Sequence, residues 1–137
     1  MQVQPYLFFN GRCEEALTFY RDAVGAEVTA LMRYKECPDT PPPGTLPPNS
    51  ANKVMHAAVR IGETTVLASD GHCQGQPSFQ GLSLTVSVAN EAEADRVFNA
   101  LADGGKVTMP LGKTFFSPRF GMLTDRFGLG WMVIVAH

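Results

Sequence analysis

Leu7–Thr29, LFFNGRCEEALTFYRDAVGAEVT, decides the fold, because Val86–Thr108, VSVANEAEADRVFNALADGGKVT, repeats it without a gap. Matched positions include Glu14 with Glu93, Phe19 with Phe98, Gly25 with Gly104, and Val28-Thr29 with Val107-Thr108. Each copy reads as a strand, a helix of about three turns, a glycine stop and a second strand. A second echo follows, Val59-Arg60-Ile61-Gly62 against Asp125-Arg126-Phe127-Gly128, at a shorter offset. The shortening is explained by a Pro-rich insertion, Cys37 to Asn52, which the second half lacks. A repeat of this length is one supersecondary unit that cannot bury its apolar face alone and must pack with others.

Working outward, Val3 to Phe9 is apolar and aromatic-rich, a strand, turned by Asn10-Gly11. Cys13, Ala16, Leu17, Phe19, Tyr20, Ala23 and Val24 form a helical stripe, and Glu14 and Glu15 suit the helix N-terminus. Glu27 to Tyr34 is a strand, and the prolines at 38, 41–43, 47 and 48 predict a loop between Cys37 and Asn52 that rims a site. Lys53 to Ile61 and Thr64 to Asp70 form a hairpin turned at Gly62-Glu63. After a polar linker, Leu82 to Val88 is a strand. Asn90 and Glu93 have capping-box spacing, and Ala94, Val97, Phe98 and Leu101 form the second stripe. Lys106 to Pro110, Phe115 to Asp125 (broken at Ser117-Pro118) and Leu129 to Ala136 are the remaining strands.

The order is βαβββ twice, an α+β arrangement of two four-stranded sheets with one helix on the outer face of each. One domain spans 1–137, with module 1 at 3–70, a linker at 71–80 and module 2 at 81–136.

Composition narrows the function classes. With 137 residues, 45% hydrophobic and 18% charged, the chain is that of a soluble globular domain. A net charge of −2 without a basic cluster speaks against nucleic acid as a partner. No apolar run reaches membrane-span length, and Met1-Gln2-Val3-Gln4-Pro5 is not a signal peptide. Three cysteines at spacings that fit no zinc or redox motif predict reduced thiols in the cytoplasm.

A further set of stretches occurs in order along the chain: Pro5-Tyr6-Leu7-Phe8-Phe9-Asn10-Gly11, Glu15-Ala16-Leu17-Thr18-Phe19-Tyr20, Met55-His56-Ala57, Ser69-Asp70-Gly71, Arg119-Phe120-Gly121, Asp125-Arg126-Phe127-Gly128 and Trp131-Met132. On these the chain resembles the PhnB-like branch of the vicinal oxygen chelate (glyoxalase/bleomycin resistance/dioxygenase) superfamily. The resemblance implies paired βαβββ modules whose sheets curl around a cleft, and a homodimer. It does not imply one reaction. The branch is often described as a demethylubiquinone methyltransferase, yet no Gly-rich loop for S-adenosylmethionine stands between a strand and a helix.

The resemblance also implies metal ligands on the first and fourth strands of each module. The positions that correspond are Gln4 or Pro5, Val66 or Leu67, Ser83 and Met132, with Tyr6, Thr65, Leu82, Leu84, Trp131 and Val133 one residue away. These do not supply the imidazoles and carboxylates of a divalent-metal centre, so the expectation is a degenerate metal site, with neither metal nor other cofactor. The candidate ligand-binding residues are His56, Arg60, Asp70, Phe116 and Trp131. His56 either faces the cleft, sharing a strand face with Val54, Ala58 and Arg60, or is a structural histidine bonded to Asp70 or a carbonyl. Asp70 is either a site group or a turn cap. His56, Asp70 and His72 together are a second way to hold a metal. Trp131 or Met132, according to register, faces the cleft, and Phe116 closes a wall. Two functions follow: a small-molecule-binding protein with an aromatic cleft, or a metal-dependent lyase, isomerase or dioxygenase.

Overall fold

In a computed structural model, residues 1–38, 47–73 and 75–136 are described. The chain divides into two compact units, Met1–Pro77 and Ser78–His137. In the first unit, strand β1 (Tyr6–Phe8) leads to helix α1 (Cys13–Val24), then β2 (Glu27–Arg33), β3 (Val54–Ile61) and β4 (Thr64–Ser69). The second repeats the order: β5 (Ser83–Val88), α2 (Glu91–Ala102), β6 (Lys106–Gly112), β7 (Phe120–Thr124) and β8 (Gly130–Val135). The sheets have the same strand order, β1-β4-β3-β2 and β5-β8-β7-β6. In each, the first strand runs parallel to the fourth, while the other pairs are antiparallel.

Each sheet has one face under its helix and one open face. Under α1 lie Leu7, Ala57, Val59, Val66 and Ala68, packed against Cys13, Ala16, Leu17, Tyr20 and Ala23. Under α2 lie Leu123, Trp131, Val133 and Val135, against Ala94, Val97, Phe98 and Leu101. Burying each of the larger aliphatic or aromatic side chains stabilises by roughly 1.5–3 kcal/mol, which is what fixes one helix to one sheet face. Gly25 ends α1 in the left-handed conformation at φ 70°, with its N–H bonded to the carbonyl of Arg21. Asn90 caps α2 by accepting from the Glu93 N–H at 2.8 Å.

Two details differ from the sequence reading. The seventh strand starts at Phe120 rather than Phe115, because Ser117-Pro118 lies in a turn in which Ser117 Oγ–H donates to the Val135 carbonyl at 2.7 Å. A register shift lies between Met32 and Arg33, which oppose His56 and Val54. Met55 is therefore an extra residue on β3, and strict alternation fails there. Half of the Pro-rich insertion, residues 39–46, lies outside the described residues, and with it the middle of the expected rim.

Candidate functional site

The open face of the first sheet carries a groove of about 430 Å³ lined by Tyr6, Ala30, Leu31, Met32, Met55 and His56. Register explains the grouping. Met32 lies opposite His56 and Ala30 opposite Ala58, while Tyr6 and Ala58 both lie opposite Leu67. Alternation alone would put Val54 beside His56, but the bulge carries Val54 into the core, at 0% exposure, and adds Met55 to the groove lining.

The polar groups of this groove are the Tyr6 phenol and the His56 imidazole. Tyr6 Oη and His56 Nδ1 are 3.0 Å apart, and the rings are tilted at a centroid distance of 5.6 Å. When His56 carries its proton on Nε2, the phenol donates to Nδ1 and Nε2–H is a donor for a ligand. In the other tautomer Nδ1–H donates to the phenol oxygen and Nε2 accepts. The pair therefore presents an Nε2–H donor in the first tautomer, and an Nε2 acceptor together with the phenol O–H donor in the second, within an otherwise apolar surface. Phe8 extends that surface, stacking on Tyr6 with centroids 4.9 Å apart.

Of the residues singled out in the sequence, His56 lines this groove, and Arg60, Asp70, Phe116 and Trp131 are not among its lining residues. Asp70 is not bonded to His56. It is 1% exposed, and its Oδ1 accepts from the N–H groups of Gly11 and Cys13, both at 2.8 Å, while Oδ2 accepts from Val54 N–H at 2.7 Å. It thus caps α1 from a distant strand and ties three chain segments together, which is the turn-cap alternative in an extended form. Arg60 is exposed and pairs with Glu27, its cross-strand neighbour, away from the groove lining. Phe116 and Trp131 belong to the second unit. Phe116 precedes β7 and packs edge-on against Phe120 at 5.0 Å. Trp131 is turned under α2, 2% exposed, and its indole N–H donates to Asp125 Oδ2 at 2.9 Å. Met132, not Trp131, is on the open face. Strand alternation makes the two alternatives exclusive, and the bulkier aromatic fills the core.

Among the described residues no group of three His, Cys, Asp or Glu side chains could hold a metal ion. At the positions the resemblance implies, Leu67 and Met132 stand on open faces and Val66 is buried, so the donor set does not fit a hard divalent cation. His72 forms no cluster with Asp70, whose two oxygens are already taken by backbone amides.

Tyr6 and the two methionines were not singled out as site residues in the sequence. Tyr6 stands one residue past the pair first placed at the metal position. No sequence signal gives its hydroxyl a histidine partner fifty residues away. Around the turn after β4, Tyr34 Oη–H donates to the Gly71 carbonyl. Burial pushes the Tyr34 phenol and the Cys73 thiol upward, and the Asp70 carboxylate adds to both shifts.

Comparison with known proteins fits this architecture. The family model described as 3-demethylubiquinone-9 3-methyltransferase matches residues 1–134. Protein YjdN of Escherichia coli K12 is 34% identical, over 98% of this chain and 95% of its own length. The crystal structure of PA1353 from Pseudomonas aeruginosa is 41% identical with a TM-score of 0.85, covering 99% of this chain and 98% of that one. The PhnB protein of Bacillus cereus is 30% identical with a TM-score of 0.81, covering 99% and 100%. A glyoxylase/bleomycin resistance protein/dioxygenase domain from Frankia, at 14% identity and a TM-score of 0.68, shares the fold. With tandem βαβββ units and a match along nearly its whole length, the chain belongs to the PhnB-type 3-demethylubiquinone-9 3-methyltransferase family, on the glyoxalase/bleomycin resistance/dioxygenase fold.

Proposed function

We propose that this protein binds a small, partly aromatic or apolar organic molecule in the groove on the first sheet, with the Tyr6–His56 pair as its polar contact. The observation that carries the reading is that hydrogen-bonded pair, 3.0 Å across, set in a groove otherwise lined by Ala30, Leu31, Met32 and Met55. An apolar pocket with few, well-placed polar groups is the usual form of a site for small organic ligands. The protein acts in the cytoplasm as a homodimer, a reading supported by its three free thiols and by the apolar side chains its sheets expose.

The family description names a methyl transfer, but that activity does not follow from membership. β1 enters α1 through Phe9-Asn10-Gly11-Arg12 and β5 enters α2 through Ala89-Asn90, and neither connection is a glycine-rich loop of the kind that would hold S-adenosylmethionine. The second reading, a metal-dependent lyase, isomerase or oxygenase, is favoured by the fold alone. Elemental analysis of the dialysed protein separates the two, since stoichiometric zinc, manganese, nickel or iron with chelator-sensitive turnover selects the enzyme.

The binding reading is tested with 1-naphthol, an aromatic ring with one hydroxyl. Methyl resonances of Met32 and Met55 and the ring protons of His56 are expected to shift together on titration. His56→Ala and Tyr6→Phe should each weaken binding by about 1–3 kcal/mol, the effect of leaving a buried polar partner unmade. Unchanged affinity in His56→Ala, or shifts confined to other residues, would remove the assignment.

A further inference from the structure

Strand register sets three methionines side by side across the second sheet. Met109 on β6 lies opposite Met122 on β7, and Met122 lies opposite Met132 on β8. The chain has six methionines, so half of them share this one row. Gly121, Leu123, Trp131 and Val133 are buried, which leaves Met122 and Met132 on the open face, half-buried. Met109 is 43% exposed.

The third member is there because of a bulge. Val107 opposes Leu123, and a regular ladder would then set Thr108 opposite Met122; the register shifts, and Met109 takes that place. Bulges characteristically re-aim a side chain in this way. Directly opposed residues have Cβ atoms about 4.5–5.5 Å apart. The flexible, unbranched methionine side chain lets the outer two sulfurs lean toward the middle one.

Three neutral thioethers are soft donors, the type that selects Cu(I) over hard divalent ions. The rest of the face gives a hard ion nothing to bind. Along β7 and β8 the outward positions beside the row are Phe120, Thr124 and Ile134, Lys106 on β6 lies opposite Thr124, and Thr85 follows Met132 in the row, with no carboxylate or imidazole among these described residues. Phe120 lies opposite Ile134, and the Phe116 ring stands 5.0 Å from it. Together they make an apolar flank that suits a weakly hydrated monovalent cation. We propose that Met109, Met122 and Met132 form a binding site for a soft monovalent metal cation of the Cu(I) type. The site lies on the second sheet and does not depend on the groove of the first.

The test uses the full chain with Cys37→Ser and Cys73→Ser, which removes the competing accessible thiols, and with isotope-labelled methionine methyl groups. Silver nitrate in chloride-free buffer serves as the redox-inert probe. A single equivalent is expected to shift the methyl signals of Met109, Met122 and Met132 together while those of Met1, Met32 and Met55 stay in place. Met122→Leu conserves volume and apolarity, so the fold is retained, and it should weaken silver binding roughly tenfold or more. Anaerobic competition with bicinchoninate should give the same stoichiometry and the same loss for Cu(I). Equal affinity in Met122→Leu overturns the proposal and leaves a plain apolar face. So does a silver response spread over all six methionines or confined to none of the three.

Discussion

At the scale of single residues, Asp70 matters most to the fold and His56 to the site, and the sequence treats them differently. The Ser69-Asp70-Gly71 stretch marks a turn, and turn aspartates bond local amides. The partners found, Gly11, Cys13 and Val54, are distant in the chain, and no spacing rule points to them. Because Arg12 at the N-cap makes no side-chain cap, Asp70 supplies the acceptor for the start of α1. Asp70→Ala leaves three amides without an acceptor, and charged acceptors are worth about 1.5–3 kcal/mol each before compensation by water. A loss of about 3 kcal/mol or more in urea unfolding is expected. Cys13 gives an independent reading of the same knot. Its thiol is 0% exposed and pushed upward by burial first, then by the charges of Asp70 and Glu14. Alkylation of Cys13 should therefore track unfolding in the native protein and speed up in Asp70→Ala under conditions where the variant is still mostly folded. Slow alkylation and wild-type stability in the variant would refute the knot. For His56, the sequence left a cleft-facing and a structural role both open; it stands on the groove lining, and its partner had to be seen in three dimensions, since Tyr6 reaches it across β4.

At the scale of elements, both helices are legible because their apolar stripes, acidic first turns and glycine stops agree with one another. Strand existence is equally legible, and bulges are not. Inserting Met55 or shifting Met109 changes no residue class in the pattern, yet each moves a side chain into a site. The glycines after the helices show how similar sequence signals hide different physics. Gly25 and the Gly104-Gly105 pair both end a helix. At Gly25 an added Cβ would meet nothing within 4 Å, so Gly25→Ala costs only the left-handed backbone, about 1–2 kcal/mol. At Gly105 an added Cβ would lie 2.2 Å from the Thr124 carbonyl oxygen, which is backbone and must move. Gly105→Ala is therefore expected to cost more than Gly25→Ala, by at least about 1 kcal/mol, as overpacking in a fixed site does. Chemical denaturation of the two variants side by side checks this. Equal losses would mean that the turn after α2 relaxes freely away from β7.

At the scale of the whole molecule, the internal repeat is what made the fold readable. Two copies of one pattern constrain each other, and their shared strand order follows from identical connectivity. Association is less readable, because it depends on which apolar residues remain uncovered once each sheet has chosen its helix face. In the first unit Tyr6, Phe8, Val28 and Met32 are between 37% and 51% exposed, and in the second Val107, Met109 and Phe116 are between 41% and 43% exposed. Large apolar side chains exposed to this extent suit interaction surfaces. The outermost strands, β1 and β2 in the first sheet and β5 and β6 in the second, each have one neighbour within their sheet, so each leaves an edge able to pair. Pro110 lacks an N–H and breaks up part of the β6 edge, so side-chain packing has to carry more of any contact there than backbone pairing. A homodimer is the expected outcome, since one self-complementary patch closes under twofold symmetry and covers both copies. Sedimentation equilibrium at tens of micromolar, roughly the range in which obligate dimers persist, should return twice the chain mass. Val107→Asp places a charge at a 43% exposed position on the outer strand β6, and should shift the equilibrium toward monomer with the circular dichroism spectrum unchanged. A wild-type chain that sediments as a monomer at that concentration would rule out the dimer. A Val107→Asp dimer of undiminished affinity would instead move the interface to the first unit, where Phe8→Asp is the corresponding probe.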